Sequence, residues 1–97
     1  MKYNLLIADD EELIRKGLIA RLEYLQIRFE NIYEASTGQE ALEILKNHKD
    51  DIEVTDIRMP QMGGLELMRE ARNVQGGISF VILSGYAEFD YARTALE

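Results

Sequence analysis

The sequence contains no cysteine. A disulfide framework, thiol chemistry and a thiolate metal site are therefore excluded. Histidine occurs once, as His48, at the end of a helical pattern where a solvated helix-end role fits better than catalysis. Basic residues are in deficit: 11 Lys and Arg stand against 18 Asp and Glu, for a formal charge of −7. Nucleic-acid binding through a basic face is not expected of this chain. Long hydrophobic runs are missing too. The first apolar run, Leu5 to Ala8, is too short for a signal peptide or a membrane span, so a cytoplasmic protein is the default. No Gly-Lys-Ser/Thr sequence occurs, which excludes a P-loop. No internal repeat, low-complexity stretch or linker interrupts the chain.

What is present is an ordinary globular composition, 46% hydrophobic and 30% charged over 97 residues. This length suits one domain or slightly less, which buries roughly 60–65% of its unfolded surface. The acids gather at Asp9-Asp10-Glu11-Glu12 and at Asp50-Asp51, with others spread over helix faces. Most are expected to form a solvated acidic surface.

Leu5-Leu6-Ile7-Ala8 suits a strand covered on both faces and ends on Asp9-Asp10. From Glu12 the period becomes helical, with Ile14, Leu18, Leu22 and Leu25 on one face. Asn31 to Ala35 reads as a second strand. Thr37-Gly38-Gln39-Glu40 fits a capping box, and Ala41, Leu42 and Leu45 give the helix that follows its apolar face. Ile52 to Thr55 forms a third strand that ends on Asp56, and Pro60 prevents its continuation. Leu65, Met68 and Ala71 mark a third helix, closed by Gly76-Gly77. Ile78 to Leu83 is the longest apolar run, a fourth strand ending on Ser84-Gly85. A fourth helix begins near Glu88. The alternation of strands and helices predicts an α/β fold with right-handed crossovers and a parallel sheet.

Asp9-Asp10, Asp56 and Ser84 all stand at the carboxyl ends of strands. In a parallel sheet those ends share one edge, where ligands collect in open α/β folds. Converging carboxylates repel one another unless a cation offsets them. Oxygen donors without histidine or cysteine favour Mg²⁺. A carboxylate beside Mg²⁺ can accept a phosphoryl group as a nucleophile. Each acid also has a plain structural use. Asp9 or Asp10 could cap the first helix, Ser84 could cap the fourth, and Asp56 could open an Asx-turn before the proline. A phosphatase with an aspartyl nucleophile wants a second acid two residues on, where Arg58 stands. A flavin or dinucleotide would meet repelling acids in the first turn.

The chain resembles the receiver domain of bacterial two-component response regulators. The resemblance rests on Ile7-Ala8-Asp9-Asp10-Glu11, on Thr55-Asp56-Ile57-Arg58-Met59-Pro60 with Gly64-Leu65, and on Val81-Ile82-Leu83-Ser84-Gly85-Tyr86. The wording Leu83 to Phe89 is most similar to receivers that precede AraC-type DNA-binding domains. The resemblance implies a flavodoxin-like (CheY-like) doubly wound sheet, with strand order 2-1-3-4 over residues 1–97 and the family's fifth strand and helix absent. It implies that Asp56 is the phosphoacceptor and that Ser84 contacts the phosphoryl group. It implies Mg²⁺ bound by Asp9, Asp10, Asp56 and the backbone carbonyl of Arg58. The implied phosphodonor is a sensor histidine kinase, and the domain is not an enzyme beyond its own phosphorylation and dephosphorylation. Nucleic acid would be met only through an output domain outside this chain, and no membrane is involved. The alternative is a phosphorylation-impaired receiver acting as a protein-interaction module.

Three departures from the family pattern carry expectations. Without the fifth strand, the family's lysine and switch aromatic are missing, and the strand at 78–83 becomes an apolar edge open to pairing with another receiver chain. Gly63 replaces an acid, which predicts a less constrained loop. Glu53 lies inside a strand that is apolar in the family. It is expected on the sheet face of the first helix, left wet where the fifth helix would pack.

Overall fold

A computed structural model of the chain describes residues 3–59 and 61–83. Its elements are β1 (Asn4–Ala8), α1 (Glu12–Tyr24), β2 (Asn31–Ala35), α2 (Gly38–Asn47), β3 (Ile52–Asp56), α3 (Gly64–Val74) and β4 (Ser79–Leu83). The expected fourth helix, together with Ser84 and Pro60, lies outside the described residues. The sheet is parallel throughout, in the order β2-β1-β3-β4. Strand order therefore reverses between β1 and β3, the place where such sheets open a crevice at their carboxyl edge.

Side chains alternate between the two sheet faces. Leu6 and Ala8 of β1 pack with Leu45 of α2 and with Leu67 and Ala71 of α3. Leu5, Ile7 and Val54 turn the other way, toward Leu18, Ile19 and Leu22 of α1. The helix α1 touches the sheet through its middle. Ile14 and Leu25, expected on its buried face, are exposed, and none of its residues is fully buried.

Helix ends follow from local chemistry. Glu40 N–H donates to Thr37 Oγ1 at 3.1 Å, the first half of the capping box. Its reciprocal half is shifted by one residue, because Glu40 Oε1 accepts from Ser36 N–H at 3.1 Å. At the other end of α1, Gln26 N–H bonds Glu23 O and Ile27 N–H bonds Leu22 O, a Schellman closure. Gln26 holds the left-handed position of that turn at φ 60°.

Three expectations are corrected. Glu53 pairs in register with Leu6 on one side and Phe80 on the other, and both belong to the α2–α3 face. It is 0% exposed, so it is neither on the α1 face nor wet. Asp50, expected on the solvated surface, is buried because Gln75 Oε1 accepts its backbone N–H and draws the loop inward. Gly63 and Gly64, at the end of the loop after β3, are tightly held, not loose. Gly64 N–H donates to Ile57 O at 2.8 Å, and a Cβ on Gly63 would sit 2.9 Å from that same oxygen.

Candidate functional site

The crevice between β1 and β3 is built from two strand ends. Ala8 pairs with Thr55, so the next positions, Asp9 and Asp56, stand at the same level at the carboxyl edge of the sheet. One carboxylate oxygen from each of Asp9, Asp10 and Asp56 lies within 4.8 Å of the others. Asp9 is only 3% exposed, whereas Asp56 is half-buried and Asp10 is exposed.

Asp9 is fixed at each of its backbone groups and at one carboxylate oxygen. Its N–H donates to Ala35 O at 3.0 Å, and its Oδ1 accepts from Glu11 N–H at 2.8 Å. Its carbonyl accepts from Arg15 Nη1 at 2.6 Å. Arg15 is itself held by Glu34, with Nε 3.1 Å from Oε1, and Lys16 reaches the other Glu34 oxygen at 2.6 Å. The two cations hold the Glu34 carboxyl below its ordinary value, Lys16 with the larger share. Arg15 and Glu34 were not singled out in the sequence. Arg15 follows Asp9 by six positions on the first helix, and only the strand crossing at β2 brings Glu34 beside it.

Asp9 and Asp56 are both pushed up from the ordinary aspartate value. For Asp9 the main cause is burial, helped by the charges of Asp56 and Asp10 and opposed by the Glu11 N–H and by Arg15. For Asp56 it is again burial, with Asp10 and Glu11 adding to it and the N–H groups of Arg58 and Ile57 working against it. The Arg58 N–H on the Asp56 carboxylate is the expected Asx-turn, so this turn coexists with the carboxylate cluster. The helix-cap reading of Asp9 and Asp10 does not hold. Glu11 is the N-cap of α1, and no side chain caps it.

Such a set fits a hard divalent cation. Its donors are all carboxylate oxygens, they lie within reach of a single ion, and two of them carry an electrostatic penalty that a cation would remove.

The carboxyl-edge acids, the strand order and the sequence matches agree. The chain matches the family described as the response regulator receiver domain over residues 5–97. It belongs to the response regulator receiver family. This receiver is 37% identical over 95 residues to an uncharacterized transcriptional regulatory protein, YesN, of Bacillus subtilis, covering 98% of this chain and 26% of the relative. It is 33% identical to the transcriptional regulatory protein HptR of Staphylococcus aureus, again over 98% of this chain and 37% of the relative. The receiver thus spans between a quarter and two-fifths of these relatives' length. Among solved structures it is similar to the receiver domain of AraT, a response regulator of Geobacillus stearothermophilus. The TM-score is 0.87 at 38% identity, over 99% of this chain and 74% of that one. It is also similar to a two-component transcriptional regulator AraC of Clostridium phytofermentans, with a TM-score of 0.86 at 36% identity over 95% of this chain and 74% of that one.

The expected flavodoxin-like order 2-1-3-4 is therefore found, in a signalling domain rather than a conventional enzyme. The structure brings Asp9, Asp10 and Asp56 together. Arg58 is exposed directly after them, and Ser84 lies outside the described residues. Among the described residues, no helix is long and apolar enough to cross a membrane.

Proposed function

We propose that Asp56 of this receiver takes a phosphoryl group from a sensor histidine kinase in the cytoplasm. The observation that supports this reading best is the convergence of three carboxylates within 4.8 Å at the β1–β3 crevice. In the transfer, a carboxylate oxygen of Asp56 bonds to phosphorus. The P–N bond of the donor phosphohistidine breaks, and its electron pair leaves with the imidazole nitrogen.

Asp9, Asp10, Asp56 and the backbone carbonyl of Arg58 are the residues that would hold Mg²⁺. When bound, this ion offsets the charge of the acids and of the transferring group. Asp56 must be ionised to act as nucleophile. The N–H groups of Ile57 and Arg58 favour that form, whereas burial and the neighbouring acids oppose it. Gly64 sits against the Asp56 carbonyl, where a side chain would collide, and so orients the strand end. Ser84 is assigned the phosphoryl contact on the family resemblance.

Residues 1–97 act as one receiver unit. In the whole protein, contact with nucleic acid falls to sequence outside it, in keeping with relatives named as transcriptional regulators. Among the described residues β4 is an edge strand, and Val81 is 49% exposed on it. This open edge supports pairing with a second receiver chain.

The test is mass spectrometry after incubation with Mg²⁺ and acetyl phosphate. A phosphoryl mass increment that disappears in Asp56→Asn is expected. An unmodified protein, or equal labelling of the variant, overturns the reading.

A further inference from the structure

A second pair of carboxyl groups lies in the core, at the opposite end of β3 from Asp56. Glu53 is 0% exposed and Asp50 is 1% exposed, and among the described residues none of their four side-chain oxygens has a hydrogen-bond partner. Buried polar groups are almost always paired, so two such neighbours need a physical explanation. Glu53 stands between Leu6 and Phe80, beneath α2 and α3. Asp50 lies in the loop that enters β3. Gln75, which follows α3, staples this loop. Its Oε1 accepts from Asp50 N–H at 3.1 Å, and its Nε2 donates to Leu45 O at 2.8 Å and His48 O at 2.7 Å.

Beside Asp50 opens a cavity of about 610 Å³ whose lining includes Lys46, His48, Lys49, Asp51 and Gln75. The charged groups around the pair come from several elements. Lys46 and His48 belong to the end of α2, and Lys49 and Asp51 to the loop. Arg72 of α3 lies over the Phe80 ring at 5.7 Å. Tyr33 of β2 stacks on His48, its hydroxyl 3.2 Å from Nδ1. Asp51 is committed to Asn4 N–H through Oδ2. β1 and β4 bring no titratable side chain to this face.

We propose that Asp50 and Glu53 form a proton-operated latch. With Glu53 protonated, both carboxyl groups stay buried beneath the loop that Gln75 staples. Loss of that proton to solvent drives the Asp50 carboxylate outward into the cavity, toward Lys46 and Lys49.

Two ionised carboxylates cannot both remain in this setting, and protonation of Glu53 removes one of the two charges. The Asp50 side chain is the member able to turn, since its oxygens are unbonded beside open space while Gln75 holds its backbone, whereas Glu53 is locked into the sheet by both neighbours. Burial pushes Glu53 up to about 8, and the charge of Asp50 adds to this. Asp50 is pushed up to about 6 by burial; His48 opposes this and Asp51 adds to it. The unfolded chain releases the Glu53 proton near 4.5, so between there and about 8 the folded state holds a proton that the unfolded state lacks. Stability from this pair is therefore greatest in acid and falls as pH rises through that window. The latch works whether or not Asp56 accepts phosphate.

The experiment follows denaturant stability and the infrared carboxyl band of the 97-residue chain between about pH 6 and about pH 9. One linked proton changes the folded-to-unfolded ratio about tenfold per pH unit. That slope is expected in the native sequence up to about pH 8 and is expected to vanish in Glu53→Gln. A protonated-carboxyl band is expected at neutral pH and lost at alkaline pH. In Asp50→Asn it should disappear at lower pH than in the native sequence, because the charge that retains the proton is gone. Equal slopes in the native and Glu53→Gln chains overturn the proposal. So does the absence of the band at neutral pH, which decides the matter on the native protein even if Glu53→Gln does not fold.

Discussion

Arg15 holds Asp9 by its backbone: the guanidinium Nη1 lies 2.6 Å from the Asp9 carbonyl oxygen, while Nε engages Glu34. The contact anchors the end of β1 from α1 and places a positive charge behind the acid cluster. The Arg15 side chain is only 13% exposed, so solvent screens this charge little.

Replacing Arg15 by Ala removes that anchor without touching a proposed metal donor. Mg²⁺ affinity, followed by calorimetry, is expected to weaken about tenfold, in the range found when groups that orient ligands are lost. Stability should fall by about 1–2 kcal/mol. Arg15→Lys keeps the charge but loses the fork that spans Asp9 and Glu34, and should give an intermediate affinity. Unchanged affinity in Arg15→Ala would show that Asp9 is held adequately by Ala35 and Glu11 alone.

Mg²⁺ itself should stabilise the receiver at neutral pH. Saturation to about 100 times the dissociation constant adds about 2.7 kcal/mol, read as a rise in melting temperature that chelation reverses. Asp9 and Asp56 are both raised by burial and by neighbouring acids. Protons therefore compete with the ion more strongly than they would at an ordinary aspartate, and the increment should shrink as the solution is acidified. An increment that persists in Asp10→Asn/Asp56→Asn places the ion elsewhere.

Gly64 lies so close to Asp56 that a Cβ would overlap the Asp56 carbonyl oxygen. The substitution Gly64→Ala should cost about 1–3 kcal/mol, as overpacking does, and lower the rate of acetyl-phosphate labelling. Gly17, which has open space around its Cβ position, provides the contrast. Gly17→Ala should stabilise by up to about 1 kcal/mol through helix propensity. Denaturant melts of the two variants should move in opposite directions.

Gln26 occupies the left-handed position of the α1 closure at φ 60°, where glycine is unstrained. Gln26→Gly is expected to raise stability by about 0.5–1 kcal/mol in chemical denaturation. A loss of stability would mean that the exposed Gln26 side chain contributes more than the backbone strain costs.

Among the described residues β4 is an edge strand on which Val81 is exposed. If chains pair through it, Val81→Lys should shift a concentration-dependent dimer to monomer in sedimentation experiments, since an edge lysine opposes strand addition. Equal sedimentation of both proteins at all concentrations would remove β4 from the interface.

Much of the fold is local information. The apolar runs at Leu5–Ala8 and Ile52–Thr55, the period change after Glu12 and the Thr37 cap set element type and order, because strands and helices impose different side-chain periods. The acids at strand ends were legible for the same reason, once a parallel sheet was inferred. The pairing of Arg15 with the Asp9 carbonyl left no such mark, since a basic residue on a helix looks solvated whatever it meets. The Asp50-Asp51 pair was equally opaque. One acid stays at the loop surface and accepts from Asn4, while the other is drawn in by Gln75, which lies 25 positions away.

The sequence by itself determined the order of elements, the parallel sheet and the acids at the strand ends, because these follow from periodicity and from where each apolar run stops; their gathering at Asp56 needed β1 and β3 to be neighbours. Only the tertiary structure decided that Glu53 faces α2 and α3, that Asp50 joins it in the core and that Arg15 braces Asp9. Those outcomes depend on register and helix placement between distant segments, where burial and charge are settled by neighbours that the local sequence does not name.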